Sequence, residues 1–246
     1  MAKTATTIDA TAPDGTGKNP YPLVASPAHT VIMVAILGIW ALVGTITAGY
    51  MRVATNPHRV RTYLLSTLGE WLWFAFVVAG ARTQGVPLRL IMGDRWDSAR
   101  TVLRDIGIAA NFWIVSITVL LVPILFLRVS LDRRSLDFIH PKTPIELALW
   151  IAVSITAGIV EETVFRGYLQ IQFASLTRSI PTGIFLSAVI FGACHAYQGW
   201  IQATLMALFG LMFGILAYWR KSLRPGMFAH AWQDGLGGIL AFVLKH

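Results

Sequence analysis

The stretch from Thr30 to Met51 contains no charged residue, and further apolar runs of similar length follow it along the chain. About 20 consecutive apolar residues are enough to cross a bilayer as a helix. Within lipid every backbone N–H and C=O must be satisfied internally, so such runs can only become helices or closed barrels. Composition agrees with helices. Only 13% of the 246 residues are charged, 55% are hydrophobic and the mean hydropathy is +0.62, against about 25% charged in ordinary soluble domains. The expected fold is all-α, a polytopic transmembrane bundle of about seven to eight helices with an active-site cavity within the C-terminal helices. The chain is expected to be an integral, multi-pass protein of the cell membrane. The formal net charge of +8 is not gathered into a Lys/Arg-rich tract with interleaved aromatics. It is read as loop arginines facing lipid headgroups, with no nucleic-acid partner. A single cysteine, Cys194, excludes an intrachain disulfide and is read as packing.

Residues 1–28, rich in Thr, Ala, Pro and Gly, read as a disordered tail. Residues 29–142 read as a scaffold of transmembrane helices and connectors, with spans over Thr30–Met51, Leu64–Gly80 and Ile106–Leu127. A loop with an interfacial helix is expected over 81–105. Glu70 interrupts the second span and is either an acid facing the bundle or a substrate contact. The sequence Thr143-Pro144-Ile145-Glu146 has the cap, proline and early acid of a helix start. From there residues 143–246 carry intramembrane polar groups more densely than the scaffold does. Helices are expected from Pro144 through Val160, then over Ile184–His195, Ile201–Trp219 and Met227–Leu244.

Three polar constellations lie on those helices. An ionisable side chain at the centre of a membrane helix costs roughly 2.5–3.5 kcal/mol, which makes each one a functional hypothesis. The first constellation is Glu161, Glu162 and Arg166. Glu162 and Arg166 are four apart and share a helix face. Glu161 is rotated by about 100°, toward a face with the small residues Ala157 and Gly158. The spacing divides the labour, with Glu162 neutralised by Arg166 and Glu161 left for chemistry; one common ion-pair network is the structural alternative. The second is His195, which ends an apolar helix after Gly192 and Ala193. The third is His230 and Asp234, four apart, where a carboxylate on one imidazole nitrogen would direct the other at a substrate, water or metal. Acids and imidazoles converging from several helices suit hydrolysis by activated water.

The ordered pattern Glu161-Glu162-x-x-x-Arg166, Phe191-x-x-x-His195 and His230-x-x-x-Asp234 resembles the CPBP (ABI) family of intramembrane proteases, which includes the CAAX prenyl endopeptidases. The likeness covers roughly residues 143–243. The resemblance implies an endopeptidase of glutamic type, with Glu161 as general base, His195 holding the water, and His230 with Asp234 stabilising the oxyanion. Glu162 and Arg166 are supporting. It implies no cofactor, with zinc chemistry as the alternative; no His-Glu-x-x-His element is present. Its partners would be the lipid bilayer and a peptide or protein substrate at the membrane, lipidated in one branch of the family. The prenyl-protease motif ends in Asn where this chain has Asp234. An ionised carboxylate cannot donate to an oxyanion, so Asp234 is expected to act by orienting His230. The other readings are a non-catalytic binding or immunity protein on the same fold, and a transporter or proton relay. The spacing makes a structural demand: Glu161 should face both histidines, and Glu162 should not depend on them.

Overall fold

The computed structural model describes residues 21–244 apart from residues 22, 56, 94 and 127–135. Among the described residues the chain is helical throughout, with no strand. The scaffold half comprises α1 (Pro27–Val53), α2 (Arg59–Thr83), the short α3 (Leu88–Met92) and α4 (Ala99–Phe126). The C-terminal half comprises α5 (Pro144–Glu161), a π-helical segment (Glu162–Leu169), α6 (Gln170–Thr177), α7 (Ile180–Cys194), a 3₁₀ turn (Ala196–Gln198), α8 (Trp200–Arg220) and α9 (Arg224–Val243). Among the described residues five helical stretches are long and apolar enough to cross a membrane: α1, α2, α4, the continuous run Pro144–Thr177, and α8. The chain is a multi-pass helical bundle.

Helix boundaries follow local chemistry. Thr143 caps α5 by accepting from the Glu146 amide, and the Glu146 carboxylate accepts in return from the amides of Thr143 and Lys142. This capping box satisfies the first orphan donors of the helix. α2 starts at Arg59, one turn before the apolar run itself begins, and Arg59 lies 3.8 Å from Glu146 at the adjacent start of α5. The expected interfacial helix within 81–105 is the five-residue α3.

Small residues set the helix spacing around the site. α5 lies against α9 and α2, while α7 lies against α8 and α6. A methyl group on Gly158 would sit 2.7 Å from the Met227 carbonyl and 3.0 Å from the Ala231 amide nitrogen, so α5 and α9 meet almost backbone to backbone. Gly192 performs the same task between α7 and α8, facing Ala203 and Ala207.

The scaffold is tied to the C-terminal half by hydrogen bonds as well as by apolar contact. Residues 1–20 of the expected tail lie outside the described residues. At its far end Val24 and Ala25 are buried, and their amides donate to the Gln172 side chain at 2.9 and 3.2 Å, while Gln172 donates to the Ala25 carbonyl at 2.7 Å. The His29 ring stacks on Phe76 and places Nε2 3.1 Å from the Phe76 carbonyl. A carbonyl only accepts, so Nε2 carries the proton. Nδ1 therefore accepts from the Tyr168 hydroxyl at 2.8 Å. Tyr168 belongs to the π segment, so the element that carries Arg166 is fastened to α1 and, through His29, to α2.

Candidate active site

The site begins where α5 changes hydrogen-bonding pattern. Glu161 is the last α-helical residue, and Glu162 opens eight residues of π-helix. π-Helical segments are rare and cluster at functional sites. Every side chain from Glu162 to Leu169 is buried.

Glu162 is fully buried, and its Oε1 takes two donors. Arg166 Nη1 lies 2.8 Å away and His230 Nδ1 2.9 Å away. Arg166 is otherwise enclosed by aromatic faces. Its guanidinium carbon sits 4.4 Å from the centre of the Phe191 ring and 5.0 Å from that of Phe213, and these quadrupoles help hold a desolvated cation. The Glu162–Arg166 pair expected from the spacing is therefore present. The expected independence of Glu162 from the histidines is not. α9 brings His230 onto the same carboxylate oxygen, so Glu162 joins two helices and fixes the His230 ring. This overturns the expectation that Asp234 orients His230. Asp234 Oδ2 lies 3.6 Å from Nε2, the opposite nitrogen, beyond hydrogen-bond reach.

Glu161 has a different environment. Its side chain is 14% exposed, its Oε2 makes no hydrogen bond among the described residues, and that oxygen lies 3.7 Å from His230 Nε2. It is not hydrogen-bonded to Arg166. His195, just past the end of α7, sits with Nδ1 2.8 Å from the Phe191 carbonyl. That contact puts the proton on Nδ1 and leaves the Nε2 lone pair free to accept. The two histidine rings flank Phe191, with centroids 4.6 Å (His195) and 6.0 Å (His230) from it, and His195 is within electrostatic range of His230 and Asp234. No hydrogen bond or ion pair links Glu161 with His195 among the described residues.

Three further residues border the site. Glu70 of α2 is buried, and the charges acting on it are Glu161 and Asp234. Tyr197, in the 3₁₀ turn, stacks on His195 and feels the carboxyls of Glu161, Asp234 and Glu70. Trp150 of α5 donates through Nε1 to the Asp234 carbonyl at 2.8 Å, which holds that part of α9 in place. Glu70 was visible in the sequence as an acid inside a span. Tyr197 gave no sequence signal beyond its position two residues after His195. Among the described residues no group of three His, Cys, Asp or Glu side chains is disposed to hold a metal ion.

Residues 143–236 match the family model described as type II CAAX prenyl endopeptidase, Rce1-like. These residues form an Rce1-like domain. The match accords with the CPBP resemblance, and it covers less than half of the chain. Glu161, Glu162, Arg166, His195, His230 and Asp234 all lie inside the Rce1-like domain, and Glu70 lies outside it. The family that the model describes is one of endopeptidases. No curated protein and no solved structure matches the chain significantly.

Proposed function

We propose that the protein is an intramembrane endopeptidase in which Glu161 activates a water to cleave a peptide bond, in the manner of CAAX-type proteases. The contrast between the adjacent glutamates carries the reading. Both keep a buried Oε2 without a partner, but Glu162 holds Arg166 and His230 on its Oε1 and is closed off from solvent, whereas Glu161 makes no hydrogen bond among the described residues, is 14% exposed and lies beside His230 Nε2. A carboxylate oxygen with no donor is suited to take a proton from water. His195 supplies a second acceptor through Nε2. A water that gives one hydrogen to Glu161 and the other to His195 turns an oxygen lone pair toward the substrate carbonyl carbon.

Attack forms the new C–O bond as a proton passes to Glu161. His230, its ring fixed by Glu162, polarises the carbonyl oxygen through a protonated Nε2 and stabilises the oxyanion. Glu161 then returns the proton to the leaving nitrogen as the C–N bond breaks, releasing a carboxyl and an amine. Asp234 contributes negative charge beside the imidazolium. The chemistry uses these side chains alone, with no cofactor, and activity should persist after exhaustive chelation. The substrate is a peptide or protein segment at the membrane, and the family description makes a prenylated C-terminal tail the first to try.

The decisive comparison is wild type against Glu161→Gln, nearly isosteric, in matched cell membranes, with new protein termini read by proteomics. New termini should form only with wild type and should be reproduced by the purified protein. Cleavage by a purified, folded Glu161→Gln variant would remove Glu161 from the mechanism.

A further inference from the structure

The hydrolytic scheme leaves Glu70 without a task. It lies in α2, outside the Rce1-like domain, and is 6% exposed; its Oε2 is buried and makes no hydrogen bond among the described residues. It lies two turns along α2 from Tyr63, on the same buried face. Tyr63 packs edge-on against Trp150 of α5, and Trp150 holds the Asp234 carbonyl of α9, so this face of α2 is turned toward α5 and α9. Glu161 and Asp234 in turn both approach His230 Nε2, at 3.7 and 3.6 Å. Three carboxyls from α2, α5 and α9 therefore border one region, with Glu70 within electrostatic range of the other two.

The nearby cations do not balance them. Arg166 is held by Glu162 and covered by Phe191 and Phe213. His195 gives its Nδ1 proton to the Phe191 carbonyl, and His230 gives Nδ1 to Glu162. One imidazole edge is left to face three acids. Like charges gathered in a low-dielectric setting require a proton or an incoming counter-charge. Asp234 is 39% exposed and marks the open side of the group, with Glu70 at its buried end. A substrate that carries a cation would bring the missing charge with it.

We propose that Glu70 and Asp234 form a subsite for a cationic side chain, lysine or arginine, of the substrate peptide, close to the bond being cut. This rests on the reading of Glu161 as the hydrolytic base. A charge-assisted contact from the substrate cation gives the buried Glu70 carboxylate a partner that no described group supplies. An uncharged side chain at that position would leave the acids unpaired.

The test reads binding without turnover. The full chain is placed in nanodiscs of zwitterionic lipid and titrated with two fluorescently labelled pentapeptides, Leu-Leu-Lys-Leu-Leu and its norleucine counterpart, both blocked at the termini. Wild type should bind the lysine peptide about tenfold more tightly. In Glu70→Gln the preference should fall below about twofold, and Glu70→Asp should restore part of it. Asp234→Asn should weaken the preference as well, which keeps the test open if Glu70→Gln does not fold. Equal affinity in wild type, a preference unchanged in both carboxamide variants, or no binding of either peptide up to millimolar concentration overturns the subsite. Loss of the lysine preference leaves the role of Glu161 standing, whereas cleavage by Glu161→Gln removes the base and not the subsite.

Discussion

Replacing one or the other of two neighbouring glutamates by glutamine should have unequal consequences for stability. Glu162 is fully buried and holds Arg166 at 2.8 Å and His230 at 2.9 Å. Glu162→Gln keeps the shape and removes the charge. Arg166, 2% exposed, is left without its counter-ion. Breaking a buried pair by removing one partner costs about 3–5 kcal/mol. The aromatic faces of Phe191 and Phe213 are present in both proteins and cancel from the difference. The glutamine oxygen can still accept from one donor, worth about 1 kcal/mol. The expected loss is therefore about 3 kcal/mol. Glu161→Gln removes a charge whose Oε2 has no hydrogen bond and whose neighbours include other acids. Its stability should stay within about 1 kcal/mol of wild type. The assay is reversible SDS unfolding in mixed micelles, followed by the fluorescence of the nine tryptophans. Equal midpoint shifts in the two variants would refute the division between a structural and a chemical glutamate. So would a Glu162→Gln protein as stable as wild type.

The oxyanion role of His230 and the lesser role of Asp234 predict unequal kinetics. His230→Ala should lose roughly a hundredfold or more in kcat, since an oxyanion donor supplies about 2.7–4 kcal/mol; Asp234→Asn should lose less than about tenfold toward an uncharged peptide. Equal, complete loss in both would assign Asp234 a direct part. The close approach of α5 to α9 predicts that Gly158→Val, which places methyl groups against the Met227 carbonyl and Ala231, destabilises by about 1–3 kcal/mol. A thermal midpoint unchanged from wild type would show that the two helices part without penalty.

Local signals in the sequence were translated faithfully, and those that depend on tertiary contact were not. The start of α5 is legible because Thr143, Pro144 and Glu146 encode a capping box within four residues. The Glu162–Arg166 pair is legible because side chains four apart share a face. The bond from Glu162 to His230 joins residues 68 apart, on helices whose facing sides no local pattern specifies. The π-helix is equally silent, since it replaces the usual hydrogen-bond step without any residue type that demands it. Glu70 could be flagged by its cost in a span, but its neighbours could be known only once α2 lay against α5. The scaffold helices extend beyond their apolar runs for a simple reason. A hydropathy limit stops at the first charged residue, while a helix continues into the headgroup layer, as α2 does from Arg59.

The Gln172 clamp on Val24 and Ala25 imposes an order of events on biosynthesis. Its two ends are 148 and 147 residues apart. At roughly 5–20 residues per second a ribosome needs about 7–30 s to make that interval. α1 must therefore enter the bilayer and wait, its leading amides hydrated, until α6 emerges and takes them. The segment before α1 is made well ahead of α6 and finds its place only after it, so an assembly factor or a competing helix has its opening in that interval.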